Sequence, residues 1–164
     1  MSILNFPQVG RRNLENMYNY IVDPNSTQNI LIFGLGINPR YAIEEMKFAH
    51  FAFCNSREHY YQQIIFSFDD DVQKKLTLQQ IEQVGKEIGL IFAFRYQVLA
   101  ALHVNTKNWH FHYLVNSLNI ENGKCFEQEG SVYCYFKRIN KILAKYNLEP
   151  IEYYGYDSFS YSAG

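Results

Sequence analysis

The chain has 164 residues, of which 48% are hydrophobic and 19% are charged, with a formal net charge of -1. This length suits one domain with a substantial core, and this composition excludes a disordered chain. No apolar run is long enough to cross a bilayer and no secretion signal opens the chain, so we expect a cytoplasmic protein without membrane contact.

The first half of the chain alternates predicted helices and strands. In chain order these are a helix at residues 13–22, an extended segment at 29–38, a helix at 41–53 and a strand at 60–68. Leu14, Met17, Tyr18 and Ile21 have helical spacing, and the turn Asp23-Pro24-Asn25 ends that first helix. The last strand should close at the acidic turn 69–71.

The second half holds a tightly connected pair of strands between two helices. The predicted elements are a helix at 77–89, strands at 96–103 and 109–118, a helix at 131–146 and a strand-like segment at 150–154. The loop 104–108 is too short for a parallel crossover, so the two strands run antiparallel. We therefore predict an α+β fold with a central, mainly antiparallel sheet flanked by helices, as one domain at 1–154 with a frayed tail at 155–164.

Three of the five histidines lie on this strand pair. Residues two apart on a strand share a face, so His110 and His112 point the same way, and the short loop brings His103 opposite or diagonal to His110. Three neutral imidazoles suit a divalent metal and leave coordination positions open for water or a phosphate oxygen. Sheet histidines bonded to neighbours are the alternative, and the spacing alone does not name the reaction, since zinc hydration sites also use three histidines.

The remaining aromatic and histidine residues have simpler interpretations. His50 and His59 lie outside the cluster and are expected at the surface or at caps, whereas Tyr60 and Tyr61 are expected to pack in a strand. The chain contains 14 Tyr and 13 Phe, and exposed rings can stack on single-stranded bases. The net charge argues in the other direction, because nucleic-acid binders commonly carry a basic footprint.

Several motifs occur in the order found in one known family. The histidine-hydrophobe-histidine strand follows an upstream histidine and precedes the V-N-S-L-N run at 115–119 and the N-G-K turn at 122–124. Upstream lie Y-I-V-D-P at 20–24 and I-F-S-F at 65–68. This arrangement, over roughly residues 10 to 150, resembles the relaxase/mobilisation nuclease family, with the histidine segment as its most specific part.

The resemblance implies a function. His103, His110 and His112 would bind Mg²⁺ or Mn²⁺, and Tyr20 would attack a phosphodiester of single-stranded DNA at the transfer origin of a plasmid or conjugative element, leaving a 5′-phosphotyrosyl intermediate. Ser67 would lie near the DNA backbone. Further DNA contacts are expected from Tyr18, Asn105 and Asn116. Accessory mobilisation proteins are possible partners, and the family's fold is an antiparallel sheet flanked by helices.

Some assignments stay open at this point. Tyr18 and Tyr20 point away from each other on a helix, so only one can face the metal. Asn105 stands where many relatives have an aspartate that orients an imidazole, and Ser26 or Thr27 stands where a lysine is common.

Two other functions remain alternatives. A rolling-circle replication initiator would place its nucleophile downstream of the histidines, at Tyr133 or Tyr135. A decayed relaxase-like domain would bind DNA without cutting it.

Overall fold

The fold is an antiparallel sheet with helices on both faces. The computed structural model describes residues 2–7, 13–54, 60–124 and 132–152. Within them the strands are β1 (Ile3–Asn5), β2 (Ile32–Leu35), β3 (Tyr61–Ser67), β4 (Val98–His103) and β5 (His110–Asn116), in the spatial order β1-β3-β5-β4-β2. The helices are α1 (Leu14–Ile21), α2 (Ala42–Ala52), α3 (Asp70–Gln73), α4 (Leu78–Ala93) and α5 (Val132–Lys145). The predicted α+β class is confirmed.

Local sequence signals account for where the helices begin. The Asn13 side chain accepts a hydrogen bond from the Asn16 amide and caps α1. Thr77 and Gln80 form a reciprocal capping box at the start of α4. Helix α4 continues to Ala93, one turn beyond the predicted end at Gly89, because its apolar periodicity persists through the buried Phe92.

The structure corrects three predicted elements and adds one strand. The acidic turn at 69–71 is the start of α3, which Asp69 caps through the Asp71 amide. The extended segment 29–38 is a strand only over β2, after one turn of 3₁₀ helix. Strand β1 was not predicted, because three residues are too few to show an alternation. Residues 150–152 are not a strand.

Other predictions fall on residues outside the described ranges. These are the position of His59, the first residue of the helix predicted at 131–146, the end of the strand-like segment at 153–154 and the tail at 155–164. The division into one domain at 1–154 and a tail therefore stays a prediction.

The two faces of the sheet pack against different helices. One face carries Leu99, Ala101 and Leu114 and is covered by α1 and α2. The other carries Ala100, Phe111 and Tyr113 and is covered by α4 and α5. Helix α4 approaches this second face closely at Gly85, where a Cβ would lie 2.2 Å from the Phe111 ring and Tyr113 donates a hydrogen bond to the Gly85 carbonyl at 2.8 Å.

The sheet order puts the histidine strand in the middle. Strand β5 lies between β3 and β4 and is antiparallel to both, with His110 directly opposite His103 on one side and Ser67 on the other. The predicted pairing of the two histidine strands is confirmed. Among the described residues, no helix is long and apolar enough to span a membrane.

Candidate metal and nucleophile site

The three histidines converge on the sheet face that α1 covers. His103, His110 and His112 each offer a ring nitrogen, and these three atoms all lie within 4.8 Å of one another. Ring centroids are 4.3 Å apart for His103 and His112 and 4.9 Å apart for His110 and His112. Since a histidine nitrogen lies about 2.1 Å from a bound metal, a small inward movement would bring all three onto one ion.

The second nitrogen of each ring has a protein partner that fixes the ring. His103 Nε2 donates to the Ile21 carbonyl at 2.9 Å, and His110 Nδ1 donates to the Asn108 carbonyl at 3.0 Å. His112 Nδ1 lies 2.9 Å from the Gln63 side-chain amide. Such outer partners orient metal-ligating imidazoles and select which nitrogen keeps its lone pair.

Burial keeps the inner histidines neutral. Desolvation lowers the pKa of His112 to about 3, with the nearby His103 and His110 adding to the effect. Desolvation also lowers the pKa of His103. Neutral imidazoles have the lone pair that a metal requires, so both rings are in the binding form at neutral pH.

The residues present fit a divalent metal ion. His112 Nε2 is buried and has no hydrogen-bond partner among the described residues, an arrangement that costs free energy unless an ion occupies the site. If that nitrogen binds the ion, Nδ1 carries the proton, and a half turn of the Gln63 amide presents Oε1 to accept it. Imidazole ligands suit divalent first-row transition metals, whereas Mg²⁺ prefers oxygen ligands.

Of the two candidate tyrosines, Tyr20 lies at the histidines. Its ring is 5.3 Å from the His112 ring and 5.5 Å from the His103 ring between centroids, and 41% of the residue is exposed. Tyr18 is half-buried and donates its hydroxyl hydrogen to the Pro39 carbonyl at 3.1 Å. Of these two tyrosines, Tyr20 is therefore the one whose ring lies against the histidines.

The other residues predicted to contact DNA differ in position. Ser67 is half-buried and lies directly opposite His110, so it borders the site. Asn105 is exposed in the loop after β4, and its Nδ2 donates to Ser26 Oγ at 3.1 Å. Two positions at which the sequence departs from the family pattern therefore contact each other, and Asn105 touches none of the three histidines.

Asn116 and His50 form a buried pair at the far end of the same face. Asn116 is 0% exposed, and its Oδ1 accepts a hydrogen bond from His50 Nε2 at 2.9 Å while its Nδ2 donates to Gln97 at 2.9 Å. This burial argues against a direct DNA contact by Asn116. The expectation that His50 lies at the surface is wrong, because α2 turns it into the core at 2% exposure.

The tyrosines that an initiator would use lie away from the histidines. Helix α5 packs on the sheet face opposite the metal site. Tyr135 packs against the rings of Phe6 and Phe92 in that layer, and Tyr133 is exposed on the same helix. The structure thus gives no support to a nucleophile on α5.

Sequence reasoning missed two groups that hold the histidine rings. The Ile21 carbonyl carries no side-chain signal and could not have been found. Gln63 could have been found, because period-two alternation along β3 places this polar residue on the same face as Ser67.

Comparison with known proteins identifies the family. No curated protein sequence matches the chain. Similar solved structures include the Mn-bound MobM relaxase domain (MOBV; Mob_Pre) with 22-nucleotide plasmid pMV158 oriT DNA at pH 5.5, with a TM-score of 0.65, 15% identity and coverage of 93% of this chain and 90% of that chain. A second Mn-bound form, with a 22-nucleotide 3′-thiophosphate DNA, has a TM-score of 0.64, 14% identity and coverage of 94% and 92%.

These structural likenesses show a shared fold. The family itself is established by sequence, over most of the chain. Residues 20–148 match the family described as relaxase, MobA/VirD2-like, nuclease domain, and this range contains the tyrosine motif and all three histidines. The chain therefore belongs to the MobA/VirD2-like relaxase family as a nuclease domain.

Proposed function

We propose that this chain is a DNA relaxase that nicks single-stranded DNA at a transfer origin, with Tyr20 as the nucleophile and a divalent ion held by His103, His110 and His112. The observation that carries the proposal is the contact of the Tyr20 ring with two of the three histidine rings, at 5.3 and 5.5 Å. A phenol beside an open metal site is the arrangement that tyrosine transesterification requires.

The known relatives supply the substrate class. The MobM relaxase domains with the same fold are bound to oriT DNA and to Mn. Membership of the relaxase nuclease family supports the same class of substrate for this chain. Mn²⁺ or Mg²⁺ is the proposed ion, and accessory mobilisation proteins remain expected partners.

In the proposed transesterification, Tyr20 and the ion held by the histidines have different roles. The bound ion would polarise a non-bridging phosphate oxygen and offset the charge that builds up during transfer. The Tyr20 oxygen, having lost its proton, attacks phosphorus. The bond to the 3′ oxygen breaks, that oxygen takes up a proton, and the 5′ phosphate stays on Tyr20.

Two features of the site would prepare Tyr20 for this step. A tyrosine hydroxyl is a poor nucleophile unless it is activated, and a divalent ion held by the adjacent histidines would supply that activation. The bond from His103 to the Ile21 carbonyl fixes the main chain next to Tyr20, so the ring is held beside the site.

A covalent-adduct assay tests the proposal. Incubation with labelled single-stranded oligonucleotides carrying candidate origin sequences and Mn²⁺ should give a protein–DNA adduct that survives denaturing electrophoresis. Tyr20→Phe should abolish the adduct while keeping Mn²⁺ and DNA binding. Tyr18→Phe is the matched control and should still form it. His110→Ala should lose Mn²⁺ binding and adduct together, because the remaining two imidazoles hold the ion weakly.

The site of attachment separates this proposal from its alternatives. Mass spectrometry of the DNA-linked peptide should identify Tyr20, whereas an adduct on Tyr133 or Tyr135 would indicate an initiator-type nickase. Bound DNA without any adduct, in an assay where a known relaxase succeeds, would support the decayed-domain alternative.

A further inference from the structure

Helix α5 presents a face of four cations to solvent. Lys137, Arg138, Lys141 and Lys145 are all exposed, and the helix contains no acidic residue. Since the whole chain has a formal charge of -1 and this helix contributes four positive charges, the rest of the chain carries -5. Helix α5 therefore has a net charge of +4, whereas the rest of the chain is net acidic.

The cations form a regular stripe. Lys137, Lys141 and Lys145 are four residues apart, which stacks them on one side of the helix at intervals of about 6 Å. Lys145 pairs with Glu87 of α4 at 2.9 Å. Within the described part of the chain, Lys137, Arg138 and Lys141 have no acidic partner. Three unneutralised charges on a rigid helix can each meet one anionic group.

The stripe lies away from the nicking site. Helix α5 covers the sheet face opposite the histidines, with Phe136, Ile139 and Leu143 buried in that layer. An anion bound by the stripe is therefore separate from the phosphate at Tyr20. The oriT DNA in the related MobM structures is 22 nucleotides long and has on the order of twenty phosphates, many more than one metal site can engage.

We propose that the exposed face of α5 binds the phosphate backbone of DNA that flanks the nick site. This proposal rests on the proposed relaxase function and extends it to a second, sequence-independent contact. The proposal also explains how a protein with a net charge near zero can bind DNA. The local charge of a surface, rather than the total charge of the protein, determines where a polyanion binds.

The chemistry of the face favours DNA over a lipid surface. Interfacial membrane helices bury an apolar face in the lipid beneath a basic one. The apolar side of α5 is already packed in the core, so it cannot enter a membrane. The exposed side carries cations together with Tyr133 and Cys134, and repeated cations along one helix side match a repeated phosphate charge.

Salt-dependent DNA binding tests the proposal directly. Binding of a labelled 30-nucleotide dT strand should be measured by anisotropy across a salt series for the wild-type chain, Lys137→Glu/Lys141→Glu and the control Lys124→Glu. Removing two phosphate contacts should reduce the slope of log K against log salt by about 1.4 and weaken binding roughly twenty-five-fold at about 0.1 M salt. Lys124 is also exposed but lies outside α5, so its substitution should leave the slope unchanged.

The outcomes separate this proposal from the relaxase function. Calorimetry should show the same Mn²⁺ affinity for the double variant and the wild type, because neither lysine touches the histidines. If the folded double variant shows the same slope of log K against log salt as the wild type, the α5 proposal is overturned. The exposed cations of α5 would then bind an acidic protein partner or simply be solvated. Failure of adduct formation by the wild type would instead count against the nicking function and leave the slope comparison valid.

Discussion

We expect Gln63 to influence how strongly His112 binds a metal. It is 9% exposed, and its side-chain amide contacts His112 Nδ1 at 2.9 Å. Gln63→Leu should lower Mn²⁺ affinity by about 10- to 100-fold, because the ring loses the partner that sets its orientation and basicity. Calorimetric titration with Mn²⁺ measures this change.

Two further substitutions sharpen that prediction. Gln63→Glu should keep or raise the affinity, since a carboxylate accepts the Nδ1 hydrogen more strongly than an amide does. Gln62 lies on the opposite face of the strand and donates to the Pro7 carbonyl, so Gln62→Leu is the matched control and should leave the affinity unchanged. Equal losses in both leucine variants would contradict a specific role for Gln63.

His50 should make the stability of the fold depend on pH. Desolvation lowers its pKa below the ordinary value of about 6.5, so the unfolded chain takes up a proton more readily than the folded one. Stability from this group is full above pH 6.5 and declines as the pH falls below that value. Each unit of depression is worth about 1.4 kcal/mol at the acid limit.

A comparison with His50→Gln isolates this contribution from those of the metal-site histidines. The amide of glutamine can still donate to Asn116 but does not titrate. Urea unfolding without metal at pH 7 and pH 5 should therefore show a larger loss for the wild type than for the variant. Equal losses would show that His50 does not contribute to the acid sensitivity.

The segment that follows α1 links the helix carrying Tyr20 to strand β4, which carries His103. His103 bonds the Ile21 carbonyl, the Val104 amide donates to the Ser26 carbonyl at 2.8 Å, and Asn105 donates to Ser26 Oγ at 3.1 Å. Any shift of this segment relative to β4 therefore moves Tyr20 relative to the three histidines. The link is made partly by side chains and can be tested by substitution.

The Ser26 and Asn105 side chains should act as one unit. Ser26→Ala and Asn105→Ala should each reduce the rate of adduct formation a few-fold, and the double variant should be no slower than the singles. The expected coupling is about 1 kcal/mol, the usual net contribution of one hydrogen bond. Single-turnover rates with saturating DNA are the measurement, because they do not depend on any change in DNA affinity. Additive losses would show that the two side chains act separately.

The sequence predicted those helices and strands in which the hydrophobic period repeats. Helix α1 shows about two turns of apolar spacing and α4 about four, and the β4–β5 pairing followed from a short loop between two alternating strands. The three histidines were predicted to converge for the same reason. Alternate residues of a strand point to the same face of the sheet, so the positions of the histidines along two paired strands determine that they share a face. Strand β1 and helix α3 have too few residues to show a hydrophobic period.

Contacts between distant segments could not be predicted from sequence. The bond from His103 to Ile21 joins residues 82 positions apart, and His50 is buried because α2 packs it against Asn116, 66 positions away. Helical period alone did not choose between Tyr18 and Tyr20. The resemblance to a family favoured Tyr20, and the packing of α1 on the sheet agrees with it.

At the scale of the whole molecule, the candidate site and the larger hydrophobic core lie on opposite faces of the sheet. The histidines, Tyr20 and Ser67 lie on the face under α1, while the larger apolar core lies on the face under α4 and α5. Substitutions at the site can therefore alter metal binding without removing the main source of hydrophobic stability. The α4–α5 layer must stay intact for such variants to be informative.

The last described residues test where the folded domain ends. Ile151 is 3% exposed and is held to α5 by a pair of hydrogen bonds with the Asn140 amide, at 2.8 and 3.0 Å. A chain ending at Glu152 keeps this anchor, so its stability should lie within about 0.5 kcal/mol of the full chain. A chain ending at Leu148 loses this anchor and should be destabilised by about 2–3 kcal/mol. Most of this loss comes from the missing Ile151 side chain, whose removal exposes the apolar surface that it covers. Urea unfolding of both truncations, with Ile151→Ala as a point-substitution control, measures these differences. A large loss on removing 153–164 alone would show that the folded domain extends beyond residue 152.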